Sequence, residues 1–332
     1  MTTGPAFAEI GIVGGGAYGA ALALAAARAG RGVRLWARDG ATVAAIQRNR
    51  EAPRLPGIAL PEAIRATDNL SDLAACDALI VAVPTQHLRE ACVAMAAVLP
   101  RGAPVVSAAK GIERATGLFA TDIIARTWTG VATAILSGPS FAEDIGRGLP
   151  TAVTLAAADA ALARGLAESL NSSAFRIYHA SDVRGVEIGG AAKNVLAIAA
   201  GIAIGLGFGE SARAALVARG FAELRRFGEA HGAEPETLMG LSGLGDVVLS
   251  CASPQSRNFA YGLALGQGRT PAEASGGRLA EGAFTAPILA EMARAEGVDM
   301  PIAAAVAAII AGQTGVRDAV AALLARPIRA EI

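Results

Sequence analysis

The sequence predicts an α/β N-terminal domain with a mainly parallel sheet, followed by an all-helical C-terminal domain. Three observations lead there. In the first half, six short apolar runs alternate with amphipathic stretches. The first of these runs opens onto a glycine-rich turn. From about residue 180, strand signals cease and long Ala/Leu/Ile/Glu/Arg segments take over. Strand–helix alternation of the first kind puts helices on both faces of a parallel sheet.

The apolar runs are Glu9–Val13, Gly32–Trp36, Ala78–Val83, Pro104–Ser107, Ala132–Ser137 and Thr151–Leu155. Each is short, partly β-branched and closed by Gly, Pro or a polar residue, as buried strands are. Helical periodicity fills Ala20–Ala29, Ala41–Arg48 and His87–Leu99 between them. Downstream, helices are expected over Val186–Ala203, Glu210–Ala230, Pro271–Leu279, Ala286–Ala295, Ile302–Ala311 and Val316–Leu324. The expected domains are therefore 1–185 and 186–332.

At 332 residues the chain is long enough for two domains. Hydrophobic residues make up 53% and charged residues 17%, which supplies a large core and excludes wholesale disorder. Basic and acidic residues balance at 29 each, so a basic nucleic-acid-binding face is not expected. The start, MTTGPAFAEI, lacks the basic and apolar regions of a secretory signal, and a cytoplasmic protein is expected. The most apolar segment, Val195–Phe208, is short for a membrane span and carries Gly201, Gly205 and Gly207, so it reads as a buried core helix rather than an inserted one. Cys76, Cys92 and Cys251 are odd in number and scattered, and predict neither a disulfide framework nor a zinc site. Of the 29 basic residues, only Lys110 and Lys193 are lysines. A chain that uses arginine nearly everywhere raises the question of what lysine does at those two positions.

Gly14-Gly15-Gly16-Ala17-Tyr18-Gly19 fits GxGxxG directly after the first strand. Gly14 permits the tight turn, Gly16 lets backbone approach a pyrophosphate, and Gly19 lets helix and strand pack closely. As the first βα turn of an alternating chain it predicts a Rossmann-like, dinucleotide-binding domain; the alternative is a glycine-rich turn that serves chain geometry only. After the second strand, Arg38 is a permanently charged fork suited to the 2′-phosphate of NADP. Asp39 beside it leaves NAD open if its carboxylate turns inward to the ribose. The plain alternative for Arg38 is a solvated surface charge.

Lys110 follows a predicted strand, at the sheet edge where ligands of doubly wound folds bind. The loop Leu136–Glu143 follows another strand; there Gly138 lets a ligand approach backbone and Ser140 supplies a hydroxyl. His87, on the loop Pro84–His87 at the same edge, offers an acid–base group, but it begins an amphipathic run and reads rather as a helix-start residue. Lys193 lies in an apolar helical segment after Gly189-Gly190. Burial lowers a lysine pKa and makes it competent to exchange a proton, which arginine is not. A lysine snorkelling from a core helix is the structural alternative. Asp246, after three glycines, either holds Lys193, accepts from a substrate hydroxyl, or caps a helix. Ser256-Arg257-Asn258 offers hydroxyl, guanidinium and amide to an anion such as phosphate, or an N-cap followed by surface residues.

In order, the motifs GGGAYGAALA, SAAKGIE, LSGPSFAEDIGRGLPTA, the block from Gly189 to Gly220, MGLSGLGDVVLSC, QSRN and EGAFTA resemble the bacterial NAD(P)-dependent sn-glycerol-3-phosphate dehydrogenase family. The resemblance runs over nearly the whole chain. It implies a cytoplasmic homodimer that reduces dihydroxyacetone phosphate to sn-glycerol 3-phosphate for phospholipid synthesis. It implies Lys193 as the proton-exchanging residue, with Lys110, Gly138, Ser140, Asp246, Ser256, Arg257 and Asn258 on the substrate. It implies Ala17, Tyr18, Arg38, Lys110, Ala142, Arg257, Leu279 and Glu281 on the cofactor, NADP being favoured and NAD possible. Ala17 stands where the family often has Ser, which removes one hydroxyl near the pyrophosphate. The last residues, LLARPIRAEI, match only loosely. A β-hydroxyacid or ketopantoate-type reductase shares the domains and an interdomain lysine, but would bind a carboxylate. A non-catalytic NADP-sensing module would need neither Lys193 nor Asp246.

Overall fold

The computed structural model describes residues 7–277 and 280–327. Strand β1 (Glu9–Val13) enters helix α1 (Ala17–Arg28), and β2 (Gly32–Trp36) enters α2 (Gly40–Asn49). A small hairpin, β3 (Glu51–Ala52) with β4 (Leu55–Ala59), precedes β5 (Ile64–Thr67) and β6 (Ala78–Val81). There follow α3 (Leu88–Val98), β7 (Val105–Ser107), α4 (Ala120–Thr127) and β8 (Thr133–Ser137). Helix α5 (Ala142–Arg147), β9 (Thr151–Ala157), α6 (Ala160–Leu170) and β10 (Phe175–Ala180) complete this half.

Eight strands form one sheet in the order β10-β9-β8-β7-β6-β1-β2-β5. Every neighbouring pair is parallel except β8 with β9. Strand β1 sits between β6 and β2, with Ile10 paired to Ala78 on one side and Val33 on the other. Chain order reverses there, which opens a crevice at the carboxyl ends of β1 and β6.

The first two predicted strands match residue for residue. Strands β5 and β10 have no counterpart among the predicted apolar runs. Both are edge strands. Their sequences, IRAT and FRIYHA, alternate buried and more exposed residues, because only one face meets the core.

The second half is helical: α7 (Val183–Gly205), α8 (Gly209–Ala230), α9 (Pro235–Met239), α10 (Asp246–Ser250) and α11 (Arg257–Gly266). Then come α12 (Pro271–Ser275), α13 (Glu281–Ala295), α14 (Pro301–Ile310) and α15 (Val316–Leu324). Helix α13 starts earlier than predicted. Pro287 in its second turn costs one hydrogen bond without ending the helix. Helix α12 is shorter than predicted and stops at Gly276 in the left-handed region (φ 49°).

Helix α7 is the axis of this half. It is buried without interruption from Gly185 to Ala203, on every face rather than on one stripe. By length and composition it could cross a membrane, but 89% of its most apolar window is covered by the protein itself. Its glycines serve packing. A Cβ on Gly201 would lie 2.1 Å from Phe259 O, and one on the facing Gly262 would lie 2.0 Å from Ile198 O. The α7 and α11 backbones therefore touch, which fixes α11 against the part of α7 that carries Lys193.

Buried acids close helix ends that lack their own caps. Glu223 on α8 accepts from the Ile302 and Ala303 N–H groups at the start of α14. Glu187 on α7 accepts from Thr121 N at the start of α4. Burial pushes both carboxyls up to about 7, against the hydrogen bonds that pull them down.

Candidate active site

Three elements converge beside the crevice. Lys110 arrives from the loop after β7. Lys193 projects from the middle of α7. Asp246 is the first residue of α10 and follows a single π-helical turn, Leu241–Gly245, marked by the bond from Gly245 N to Gly240 O at 3.1 Å. The wide turn needs its glycines: a Cβ on Gly243 would lie 1.9 Å from Leu238 O. On the facing side, Gly189 lets α7 approach to where its own Cβ would be 2.5 Å from Ser242 O.

The result is one carboxylate between two ammonium groups. Lys193 Nζ donates to Asp246 Oδ1 and Lys110 Nζ to Asp246 Oδ2, each at 2.8 Å. Lys193 also donates to Ser250 Oγ at 2.7 Å, and Lys110 to Gly138 O at 2.8 Å. An ammonium has three protons, so each lysine keeps one N–H for a ligand.

Burial is the largest influence on both charged partners. It lowers the Lys193 pKa below the ordinary lysine value; Asp246 opposes the shift and Lys110 adds to it. Burial raises Asp246, but the two lysines outweigh it and hold the carboxyl below its usual range. Asp246 is therefore an anion, and its role is to hold the lysines rather than to cap α10.

Asn194 extends the network. Its Nδ2 donates to Lys110 O at 2.8 Å, and its Oδ1 accepts from Asn258 Nδ2 at 2.8 Å. Asn258 Oδ1 in turn accepts from Gly282 N. Ser256 caps α11 by accepting from Phe259 N. Of the Ser256-Arg257-Asn258 run, Arg257 alone has its side chain exposed. The structure thus gives Ser256 and Asn258 internal partners and leaves the guanidinium facing outward.

The glycine-rich loop fits a dinucleotide. Gly14 has φ 127°, and a Cβ there would lie 2.7 Å from Ala82 O; a Cβ on Gly19 would lie 1.8 Å from Gly14 O. These two are required by turn and packing. A Cβ on Gly16 meets nothing within 4 Å. The space against Gly16 is therefore free for a ligand, beside an α1 N-terminus that no side chain caps, and its N–H groups suit a pyrophosphate. Ala17 is the first residue of α1 and Ala142 the first of α5. Tyr18 turns its hydroxyl to Ser140.

Arg38 is exposed just past β2, open to a 2′-phosphate. Asp39 does not turn inward: its carboxylate accepts from Ala41 N, Thr42 N and Thr42 Oγ1 and caps α2. Glu281 is half-buried, accepts from Thr85 N at 3.2 Å, and its carboxyl is pushed up to about 7 by desolvation. His87 flanks the start of α3 on the surface, as read from its context. Leu279 lies outside the described residues.

Ser250, and the partner of Asn194, were not read from the sequence. Ser250 lies four residues after Asp246, one helical turn on and on the same face. That spacing was the available signal. Asn194 stands beside Lys193, yet its link to the Lys110 backbone spans 84 residues and had no local sign.

A dinucleotide-shaped loop on a switch-point sheet, facing a buried lysine–aspartate–lysine cluster, defines a nicotinamide-dinucleotide-dependent oxidoreductase. The chain belongs to the NAD-dependent glycerol-3-phosphate dehydrogenase family, whose N-terminal model matches residues 9–163 and whose C-terminal model matches 182–321. A glycerol-3-phosphate dehydrogenase [NAD(P)+] from Azorhizobium caulinodans is 59% identical over 328 residues, covering 98% of this chain and 99% of the relative. One from Methylobacterium radiotolerans is 58% identical over 324 residues, covering 97% and 98%. The crystal structure of a glycerol-3-phosphate dehydrogenase from Coxiella burnetii superposes with a TM-score of 0.92 at 36% identity, covering 97% of this chain and 100% of that one. A ketopantoate reductase from Ralstonia eutropha shares the fold alone, at a TM-score of 0.58 and 19% identity over 93% of this chain and 98% of that one.

Proposed function

We propose that this chain is a glycerol-3-phosphate dehydrogenase that reversibly reduces dihydroxyacetone phosphate to sn-glycerol 3-phosphate, supplying the backbone for phospholipid synthesis. It works as a cytoplasmic homodimer. NADPH is the favoured cofactor and NADH is also used; when bound, the nicotinamide supplies the hydride. Residues 1–185 hold the cofactor, through Gly14, Gly16, Ala17, Tyr18, Gly19, Arg38, Lys110 and Ala142, with Arg257, Leu279 and Glu281 from residues 186–332.

The observation that carries the reading is the shared carboxylate with one unassigned N–H on each lysine. As the ketone carbon is reduced, its oxygen gains negative charge. Lys193 holds a proton at Nζ and delivers it to that oxygen; in oxidation it takes the proton back. Lys110 stabilises the same charge as a fixed cation, and Asp246 keeps both ammonium groups in place. Arg257 takes the phosphate as a charge-assisted partner, joined by Ser256 and Asn258. Binding the remote phosphate orients the reacting carbon. A phosphate at that end, rather than a carboxylate, distinguishes this substrate from those of hydroxyacid reductases.

The test is an assay of the purified protein with dihydroxyacetone phosphate, following loss of NADPH or NADH absorbance. Turnover that needs the phosphate of the substrate is expected. No turnover with either cofactor would end this reading.

A further inference from the structure

The phenol of Tyr18 lies 2.9 Å from Ser140 Oγ, across 122 residues of chain. Tyr18 belongs to the glycine-rich turn, and Ser140 to the loop after β8. A proton count gives the direction of the bond. Ser140 has one hydroxyl proton and donates it to Gly138 O at 2.8 Å. Toward Tyr18 its Oγ is therefore the acceptor and the phenol is the donor. Burial pushes the Tyr18 pKa up to about 12, so the phenol keeps its proton.

Gly138 O has two lone pairs and uses both. One takes Ser140 Oγ and the other takes Lys110 Nζ, each at 2.8 Å. The carbonyl is itself held by backbone. Gly138 has φ 139°, and a Cβ there would lie 2.9 Å from Val153 Cα. Lys110 Nζ also stands 5.8 Å from the centroid of the Tyr18 ring. Tyr18 thus meets Lys110 twice, by its ring face and through two hydrogen bonds that end on the carbonyl Lys110 uses.

We propose that Tyr18 is a positioning residue for substrate: its hydroxyl, acting through Ser140 and the Gly138 carbonyl, holds the Lys110 ammonium on Asp246 with one N–H left for the substrate oxygen. This rests on the reading of Lys110 as a substrate ligand. It assigns the Ser140 hydroxyl to the carbonyl rather than to the substrate. It also makes the first turn of α1 serve both ligands, its backbone facing the dinucleotide and its phenol steadying the substrate cation.

Tyr18→Phe keeps the ring and removes only the donor. Tyr18 meets the dinucleotide through its backbone N–H in the first turn of α1, which Tyr18→Phe leaves in place, so the NADPH dissociation constant, read by fluorescence titration without substrate, is expected to be unchanged. The KM for dihydroxyacetone phosphate is expected to rise about fivefold, the loss of one hydrogen bond. Ser140→Ala should give a similar rise, and the double variant should be no worse than either single one, because all three break one chain. A Tyr18→Phe enzyme with weaker NADPH binding and unchanged KM would overturn the proposal, as would single effects that multiply. Absence of wild-type turnover would instead fail the proposed reaction. The positioning claim would then be decided by the crystal structure of ligand-free Tyr18→Phe. Displacement of Lys110 Nζ from Gly138 O sustains it, and an unmoved Lys110 with Ser140 still on Gly138 O overturns it.

Discussion

Lys110 and Lys193 grip opposite oxygens of one carboxylate, Asp246, each at 2.8 Å. Like charges this close repel, and the carboxylate between them offsets that repulsion. Asp246→Asn keeps the shape and removes that charge. We expect NADPH binding to survive and kcat to fall about 100-fold or more, the range lost with proton-transfer catalysis. Steady-state rates beside a cofactor titration separate the two effects.

Lys193 should set the alkaline side of the pH–rate profile. In the proposed reaction its protonated form is the donor in reduction, so activity is expected to be full below its pKa and lost as pH rises through it. Burial moves that point below the ordinary lysine value. In the oxidative direction the limb inverts and activity rises over the same window. Lys193→Arg should bind cofactor, lose about 100- to 10,000-fold in turnover and show no such limb. Persistence of the limb in this variant would assign it to another group.

Arg38 and Asp39 are adjacent in sequence but differ in their contacts: Asp39 caps α2, and Arg38 is exposed. Arg38→Ala should weaken NADPH about tenfold or more, the loss of a hydrogen bond to a charged group, and leave NADH nearly untouched. Asp39→Ala should lower Tm through loss of the α2 cap and leave the NADPH-to-NADH ratio where it was. Equal losses for both cofactors in the Arg38 variant would show that it does not read the 2′-phosphate.

Glu223 should make stability depend on pH. Its folded pKa is raised from 4.5 to about 7, so the folded state binds the proton more tightly than the unfolded one. Stability from this group is full below about 4.5 and is lost as pH rises toward 7. Glu223→Gln still accepts from the α14 amides and cannot ionise. Relative to wild type it should gain about 1–3 kcal/mol between pH 5 and pH 8 in urea unfolding. A constant difference across that range would show that Glu223 does not titrate there.

The central strands β1 and β2 were legible because they lie inside the sheet, where a continuous apolar run leaves little choice. Edge strands β5 and β10 were not, since Arg65 and Arg176 interrupt runs that need only one dry face. Helix α11 was hidden for a related reason. Its first residues, Ser256-Arg257-Asn258, carry the polar signature of a cap and of an anion site alike, and only the bond to Phe259 N identifies the cap.

Local pattern alone determined the strand–turn–helix unit around Gly14 to Gly19, the helical second half, and the two lysines as the places to look. These features depend on the periodicity of short segments and on backbone angles within a turn. Tertiary structure decided what those lysines touch. It set Asp246 between them, Ser250 beneath Lys193, Asn194 on the Lys110 backbone and Tyr18 on Ser140. These contacts join residues 53 to 136 positions apart, apart from the helical step to Ser250. Such partnerships depend on how α7 and α11 close on their glycines and where the sheet ends, and no stretch of sequence encodes either by itself.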